Sequence, residues 1–216
     1  MNRGVSNTIS FVLLGLPLVL GLLFFVSLYN GMVREEESVY NAWADVESTY
    51  KRRADLVPNL VSVVETYIKH ERETLVAVAD QRNDIGEALK HLASQQDATR
   101  DVMSAARPDS EQAIAAVERS QSAFSQALRG VIATAESYPE LRSADQFMAL
   151  QAELEGTENR INVARMRFNE SVQNFNSSIR KMPGSLVAGV AGFQRKGYFT
   201  AAAADEQSVK IHIGQE

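Results

Sequence analysis

His70 is followed by Glu71 and, four positions after His70, by Thr74, a spacing close to that of a zinc-protease motif. That motif, H-E-x-x-H, places two imidazoles on one helix face so that both bind the same zinc ion. Thr74 stands where the second histidine is needed, and His91 and His212 are not at a metal-ligand spacing from His70. We therefore interpret His70 as a partly exposed helix residue and predict no metal site.

No other motif in the sequence favours catalysis. The chain has no cysteine, which excludes disulfides, thiolate metal ligands and a cysteine nucleophile. The glycine-rich patterns that hold phosphates and the G-x-S-x-G pattern of a nucleophile elbow do not occur. The carboxylates of Glu153, Glu155 and Glu158 are better explained as a solvated helix face than as an acid-base pair. We predict a protein that is not an enzyme and that needs no cofactor.

The composition indicates a helical protein with one domain and an additional segment. The chain has 216 residues, of which 45% are hydrophobic and 23% charged, values typical of folded proteins. Its 5 prolines and 12 glycines are too few for the many turns of an all-β protein. The net charge of −5 argues against nucleic acid as a partner, since neutralising phosphates requires the opposite balance.

The 21 residues 9–29 contain no charged side chain. An α-helix of this length reaches the ~30 Å of a bilayer core at about 1.5 Å per residue. A cleaved signal peptide and a buried core helix are the alternatives. Leu28 and Tyr29 are too large for a signal-peptide cleavage site, and a soluble core helix is rarely so uniformly apolar. We interpret 1–8 as a short tail and 9–29 as an uncleaved transmembrane helix.

The orientation of this helix in the membrane is only weakly indicated. Arg3 lies before it and Arg34 lies after it, and the positive-inside rule counts basic residues close to the span. Together with the terminal amine, Arg3 favours an N-terminus inside the cytoplasm and a large domain outside it by a small margin. The basic residues 51–53 lie beyond the usual counting distance and would argue the reverse, so the side of the large domain stays open.

Apolar residues recur at steps of three and four through most of residues 30–183, as they do on one face of a helix. The predicted core seams are Val39, Trp43, Val46 and Tyr50; Leu60, Val64, Ile85 and Leu92 among others; Ile114, Val117, Gln121, Phe124, Leu128, Val131, Ala135 and Tyr138; and Phe147, Leu150, Leu154, Thr157, Ile161, Ala164, Phe168, Val172, Phe175, Ile179 and Met182. Pro58 predicts a break near residues 54–58, and Asp109 with Gln112 resembles a capping box that opens a new helix.

Short connections between long helices make neighbouring helices antiparallel. The sequence therefore predicts an all-α fold. We expect an N-terminal transmembrane helix, then an antiparallel long-helix bundle over 30–183, coiled-coil-like and of three to four helices, and then a short C-terminal helix.

Residues 184–199 form a short apolar and aromatic element that is too short to span a membrane. The interpretation we favour is a terminal helix that closes the end of the bundle. The alternative is an interfacial or subunit-docking element, with basic side chains at headgroups and aromatic side chains as anchors. The contact residues in that alternative are Leu186, Phe193, Arg195, Lys196, Tyr198 and Phe199. Residues 200–216 are interpreted as a polar tail.

Two polar motifs lie beside the predicted core seams. They consist of Asp55, Pro58 and Asn59, and of Glu158, Asn159 and Arg160. We interpret them as interhelical hydrogen bonds and ion pairs that fix the register of the helices, in preference to a ligand site. In particular, Asp55 or Asn59 is expected to contact a residue of the second motif. Replacement of Arg160 by alanine would then destabilise the bundle by several kcal/mol.

The same motifs make the chain resemble the LemA family over about residues 30 to 200. The segments that carry the resemblance are Trp43 to Val46, Lys51 to Val61, Tyr67 to Glu73, Tyr138 to Arg142, Leu154 to Ile161, Ala164-Arg165, Phe168-Asn169, Phe175-Asn176, Gly192-Phe193 and Tyr198-Phe199. Phe168 and Phe175 stand where tyrosine is common in the family, which removes a hydroxyl and keeps the ring. The resemblance implies a bacterial single-pass membrane protein with a helical-bundle domain, and no established catalytic activity.

Two functions are compatible with this resemblance, because some relatives are associated with membrane-bounded compartments such as magnetosomes and others are encoded near membrane proteases. The first is a structural protein that self-assembles on the bacterial inner membrane and organises or remodels it. The alternative is an adaptor or regulator of another membrane protein, such as a protease. The expected partners are the lipid bilayer, further copies of the chain and, in the alternative, another membrane protein.

The predicted transmembrane helix can be tested by placing arginine in its middle. Replacing Leu16 and Leu20 by arginine should release the protein from membranes, because each midspan arginine costs roughly 2.5–3.5 kcal/mol on insertion scales. Carbonate extraction of washed membranes measures this. Retention of the double variant in the extracted membranes would contradict a transmembrane helix.

Overall fold

A computed structural model describes residues 3–74 and 79–200, and the side chains of residues 15–69, 84–139 and 141–200. Within these ranges the chain is helical with no strand, which confirms the predicted all-α class. The helices are α1 (Arg3–Asp55), α2 (Val57–Thr74), α3 (Ala79–Ala105), α4 (Glu111–Ala135), α5 (Pro139–Arg142), α6 (Asp145–Ser178) and α7 (Gly184–Ala191).

The first helix contains both the apolar segment and the first helix of the bundle. It continues for 53 residues without interruption and ends where the proline-induced break was predicted. Leu56 lies between α1 and α2, and its amide donates to the carbonyl of Arg53 at 3.2 Å. Pro58 is the second residue of α2, where the N–H that proline lacks has no partner within the helix. The break near 54–58 is therefore confirmed.

The long helices form an antiparallel bundle in which the chain runs alternately up and down. The α1 and α6 helices pack side by side, with Trp43 beside Phe168 and Arg53 beside Glu158, so the two run in opposite directions. The α3 and α4 helices pack in the same way, and Ser120 donates to Thr99 across this pair at 3.0 Å. The α2 helix extends beyond α1 and packs against α5 and α6 at the far end.

Two apolar clusters fill the bundle. The first lies near the apolar end of α1 and is built mainly from α1, α6 and α7. The second lies at the far end and is built mainly from α2, α4, α5 and α6, with Ile85 and Leu92 of α3. The predicted seam residues that the structure describes are mostly buried, because a period of 3.5 residues keeps them on one face. Leu150 is only half-buried, and Met182, which is 71% exposed, is wrong as a core residue.

The predicted ends of two helices differ from the structure. Ser110, not Asp109, caps α4, and its side chain accepts the amide of Ala113 at 3.1 Å. The last long helix ends at Ser178, before the predicted Met182. Between Pro58 and Pro108, where one helix was predicted, the structure describes α2 to Thr74 and α3 from Ala79, and residues 75–78 lie outside the described residues.

Arg53 is a buried cation between the two clusters. Its side chain is 2% exposed, and its guanidinium donates to Glu158 at 2.7 Å, to Ser125 at 2.8 Å and to Gln121. The guanidinium also lies 4.9 Å from the centre of the Phe124 ring. Burial lowers the pKa of Arg53, and the ion pair with Glu158 opposes that shift. Because arginine stays charged in proteins, this side chain joins α1, α4 and α6 through a permanent cation.

The predicted pairing between the two polar motifs is wrong in its residues. Asp55, Pro58, Asn59, Asn159 and Arg160 are all exposed. Of the motif residues only Glu158 bonds across the interface, and its partner is a residue two positions before Asp55. Residues two apart on a helix point roughly 200° away from each other. An inward Arg53 therefore turns Asp55 outward, and Arg160 is turned away from the contact that Glu158 makes.

Arg53→Ala should lower the free energy of unfolding by about 2–3 kcal/mol, since the partners of the guanidinium lose a buried, charge-assisted contact while the half-exposed Glu158 regains water. Arg160→Ala is the matched control and should change it by less than about 0.5 kcal/mol, because Arg160 is exposed. Denaturant unfolding of the full chain in detergent measures both. Equal losses in the two variants would contradict the role given to Arg53.

Candidate membrane-facing site

The segment after α7, residues 193–200, has no regular secondary structure and lies along α6. Gly192, with φ of 78°, ends α7 in the left-handed conformation that glycine tolerates. Asn176 then donates to the Lys196 carbonyl and accepts its amide, both at 2.9 Å. Asn169 makes the same pair of bonds with Phe199, at 2.8 and 2.9 Å. The two asparagines therefore hold the main chain of this segment against α6.

The spacing of these contacts fixes the course of the segment. Asn169 and Asn176 are seven residues apart on α6, which is about 10.5 Å along a helix. Lys196 and Phe199 are three residues apart, a distance that reaches about 10 Å only when the chain is nearly extended. The later asparagine binds the earlier residue of the pair. The segment therefore runs antiparallel to α6 in a nearly extended form.

The ammonium group of Lys196 lies at the centre of a buried ionic cluster. Its Nζ donates to Glu36 and to Asp109, each at 2.8 Å, and to the hydroxyl of Tyr40 at 3.1 Å. Tyr40 donates in turn to Asp109 at 2.9 Å. Lys196 is 6% exposed. One side chain thus ties the C-terminal segment to α1 and to the connection that precedes α4.

Burial and hydrogen bonding shift the pKa values of Lys196 and Asp109 in opposite directions. Burial on its own would lower the pKa of Lys196, but the bonds to Asp109, Glu36 and Tyr40 outweigh it and raise that pKa above its usual range. Burial would likewise raise the pKa of Asp109, but the bonds from Lys196 and Tyr40 hold it below its ordinary value. Lys196 and Asp109 are therefore both charged around neutral pH.

Phe199 completes the attachment of the segment. Its ring is stacked on Trp43, with centroids 6.1 Å apart, and lies edge-on to Phe168 at 5.3 Å. The guanidinium of Arg165 lies 4.8 Å from the Phe199 ring and pairs with Glu118 at 2.5 Å. Phe199 is only 4% exposed.

Lys196 and Phe199 are therefore used in contacts within their own bundle, and their predicted role as headgroup or subunit contacts is wrong. The reason is that the segment docks on α6 instead of leaving the bundle. Phe193 and Tyr198 are half-buried, and Phe193 packs against Phe175 and Tyr29. Arg195 and Leu186 are exposed, and for these two residues contact with lipid or a subunit stays a prediction.

The short helix α7 is apolar on its outer face as well as on its inner face. Gly184, Val187 and Ala188 are buried, while Leu186 is 63% exposed and Val190 is 80% exposed. These two residues are four positions apart and so lie on the same side of the helix. An exposed apolar face on a helix without charged residues is unusual in water and indicates a contact surface.

This helix lies beside the end of the apolar segment of α1. A side-chain carbon at Gly184 would stand 2.7 Å from the Met32 side chain and 2.3 Å from the Ser178 carbonyl, so the helices approach closely there. Phe25 and Leu28 also pack against the cluster that contains the buried side of α7. The exposed face of α7 is thus level with the point where α1 changes from apolar to charged sequence.

Most described side chains of the apolar segment are exposed. Nine large apolar side chains between residues 16 and 29 are at least 41% exposed. In the described part of the chain, α1 is the one helix long and apolar enough to cross a membrane, by length and composition. Side chains of residues 9–14 lie outside the described residues.

A separate polar cavity of about 480 Å³ adjoins Arg53. Its wall includes Tyr50, whose hydroxyl is buried and whose pKa is raised to about 12 by burial. A phenol with that pKa stays protonated at neutral pH and cannot act as a base there. Glu118 and Glu158 in the same wall are each paired with an arginine. This arrangement is that of a structural network.

Among the described side chains, no group of three His, Cys, Asp or Glu residues could hold a metal ion. The side chains of His70 and His212 lie outside the described residues, and His91 is exposed. A function without catalysis therefore stays a prediction.

The Lys196 cluster predicts a specific dependence of stability on pH. The depressed pKa of Asp109 stabilises the fold above its ordinary pKa of 3.8, and this contribution is lost as pH falls through the folded value. The raised pKa of Lys196 stabilises the fold below the ordinary lysine pKa of 10.5, and this stabilisation is lost as pH rises through the pKa of the folded state. Asp109→Asn should therefore melt lower than the natural chain at pH 7, and this difference should shrink below about pH 4.

Melting curves of the full chain in detergent between about pH 3 and 7 measure this difference. Asp45→Asn on the exposed side of α1 is the control, because Asp45 is exposed and its removal should leave the pH profile unchanged. If the difference in melting temperature between Asp109→Asn and the natural chain stayed constant with pH, this would contradict the stabilising role given to the ionic cluster.

The chain is similar in sequence to three magnetosome proteins. Magnetosome protein MamQ of Magnetospirillum gryphiswaldense is 27% identical over 212 residues, which cover 92% of this chain and 76% of the relative. Magnetosome proteins MamQ 1 and MamQ 2 of Paramagnetospirillum magneticum are each 26% identical over 180 residues, which cover 79% of this chain and 64% of theirs. The chain thus spans slightly less than two thirds of these two relatives.

The LemA family matches the chain over residues 42–213. The matched range includes Arg53 with its partners and the asparagine-bound segment at residues 193–200. It begins after the apolar segment, so the match rests on the bundle. The chain belongs to the LemA family.

Proposed function

We propose that the protein is a membrane-anchored, non-enzymatic structural protein that self-assembles on the bacterial inner membrane and organises or remodels it. The observation that carries this proposal is the exposed apolar face of α7, formed by Leu186 and Val190, beside the end of the apolar segment. The relatives named as magnetosome proteins support membrane association.

The position of α7 gives a mechanism for shaping the membrane. With α1 across the bilayer, Leu186 and Val190 would enter the leaflet on the side of the bundle and the rest of α7 would lie at its surface. A helix inserted into one leaflet increases the area of that leaflet only, which favours curvature. Moving each of these two side chains out of water stabilises the inserted state by roughly 1.5–3 kcal/mol when burial is complete.

Self-assembly would multiply this effect. One inserted helix changes the area of a leaflet very little, whereas an array of linked copies adds its contributions over a patch of membrane. The continuous α1 helix holds the bundle rigidly to the membrane segment. Contacts between neighbouring bundles would therefore control the spacing and tilt of their membrane helices.

The alternative function, an adaptor or regulator of another membrane protein such as a protease, would use the same face. Leu186 and Val190 would then pack against a transmembrane helix of the partner. This function requires no self-assembly and no change of membrane shape, so the two functions give opposite results in a membrane that contains the purified chain alone.

Reconstitution of the full chain into liposomes tests the proposal. Electron microscopy should show narrowed or tubular vesicles, and crosslinking should show oligomers. The double variant Leu186→Glu with Val190→Glu should leave vesicles undeformed while it remains in the membrane through α1, because carboxylates are costly to bury. The control is Met148→Glu with Met166→Glu, two exposed apolar residues of α6 whose replacement should preserve deformation.

Monomers of the natural chain on undeformed vesicles would overturn this proposal in favour of the adaptor. Deformation by the α7 variant equal to that of the natural chain would show that α7 is not the responsible element.

A further inference from the structure

A basic depression of about 330 Å³ lies at the end of α6, where residues 195 and 198 of the segment after α7 complete its lining. Its lining consists of Asn176, Ser177, Arg180, Lys181, Arg195 and Tyr198. Three of these six side chains are cations and none is acidic, in a chain whose net charge is −5. Such a local excess of positive charge opposes the balance of the whole protein and indicates a specific anionic ligand.

The three cations have no anionic partner in the described part of the chain. No described carboxylate pairs with Arg180, Lys181 or Arg195, although the described side chains form seven ion pairs elsewhere. Lys181 also lines a second depression, which contains Glu35, and the two do not form an ion pair. All three cations are exposed. They are therefore available to a ligand that approaches from outside the bundle.

Two adjacent basic residues of this segment have opposite roles. Lys196 is buried and paired with Glu36 and Asp109. Arg195, the residue before it, is exposed and lines the depression. Asn176, whose amide is bonded to the main chain of Lys196, forms part of the same lining. The position of Arg195 is thus fixed by the docking of the segment.

The depression also lies at the depth of a membrane surface. Arg180 and Lys181 lie two and three residues after Ser178, whose carbonyl is close to Gly184, and Gly184 contacts Met32. Met32 follows the last residue of the apolar segment by three positions, which is about 4.5 Å along a helix. The exposed Leu186 and Val190 belong to α7, the helix that begins at Gly184. Cations that surround such a depression are placed where phospholipid phosphates are found.

We propose that this depression binds the phosphate of an anionic phospholipid, with Arg180, Lys181 and Arg195 as its ligands and the exposed face of α7 against the acyl chains. The planar guanidinium groups offer paired N–H donors to phosphate oxygens, and the ammonium group adds a point charge. The hydroxyls of Ser177 and Tyr198 in the lining suit the neutral hydroxyls of a glycerol headgroup. A choline headgroup would instead bring a like charge toward the three cations.

This inference rests on the membrane attachment in the proposed function, but not on self-assembly or curvature. It can be tested without a bilayer, by calorimetric titration of the detergent-solubilised full chain. The ligand is monomeric dihexanoylphosphatidylglycerol, compared with dihexanoylphosphatidylcholine and with inorganic phosphate. We expect the phosphatidylglycerol to bind at least tenfold more tightly than either comparison ligand.

The test variant replaces Arg180, Lys181 and Arg195 by glutamine. It should weaken phosphatidylglycerol binding about fivefold for each cation removed, on the order of 100-fold for all three at low salt. The matched control replaces Arg119, Arg142 and Arg167 by glutamine, which removes the same charge from exposed positions elsewhere. It should change the affinity by less than about threefold.

Three results would overturn the inference. The first is equal phosphatidylglycerol affinity of the test variant and the natural chain, and the second is an equal loss in the control. The third is binding of inorganic phosphate or phosphatidylcholine as tight as that of phosphatidylglycerol, which would indicate a free anion or an unselective surface.

The liposome experiment separates this inference from the proposed function. If the natural chain binds phosphatidylglycerol through the three cations but leaves vesicles undeformed, the lipid site stands and the proposed remodelling fails. If vesicles are deformed equally by the natural chain and the test variant, while the calorimetric affinity is also equal, remodelling stands and the lipid site fails.

Discussion

The antiparallel packing of α1 on α6 is the contact on which the other contacts of the bundle depend. Its apolar seam would pack almost as well if one helix slid by a heptad, because apolar contacts are not directional. Two buried cations remove this freedom. Arg53 requires Glu158 and Gln121, and Lys196 requires Glu36 and Asp109. Because these partners are 17 residues apart on α1 at Glu36 and Arg53, the two cations fix the register at two separate positions along the helix.

The sequence predicted the helices and their apolar faces well because these depend on local spacing. The seam of α4 from Ile114 to Tyr138 is buried throughout. The same spacing also contained a signal for Arg53. Continued beyond Tyr50 by steps of three and four, the seam of α1 reaches Arg53, Val57 and Leu60, all of which are buried. A charged residue at a seam position, such as Arg53, therefore indicates a buried ion pair more strongly than Asp55 and Asn59 do.

The docking of residues 193–200 could not be predicted in the same way. A segment without regular structure has no period, and the partners of Lys196 lie far away in the chain. One signal was nevertheless present on α6. Asn169 and Asn176 each follow a buried phenylalanine and are seven residues apart, which places two amide groups on one side of the core seam. Amides repeated at that spacing can bind an extended main chain.

If α1 crosses the bilayer as proposed, its helical course from residue 30 to Asp55 makes the bundle a lever that pivots at the bilayer surface. From residue 30 to its end, α1 extends for 26 residues, or about 40 Å. A rotation of this part of α1 by 10° about residue 30 would move its far end by roughly 7 Å, since the helix has no break between residues 30 and 55. Transmembrane helices adjust their tilt to the thickness of the surrounding bilayer. A change in membrane thickness would thus change the position of α2 and α5, which lie at the end of the bundle far from the membrane.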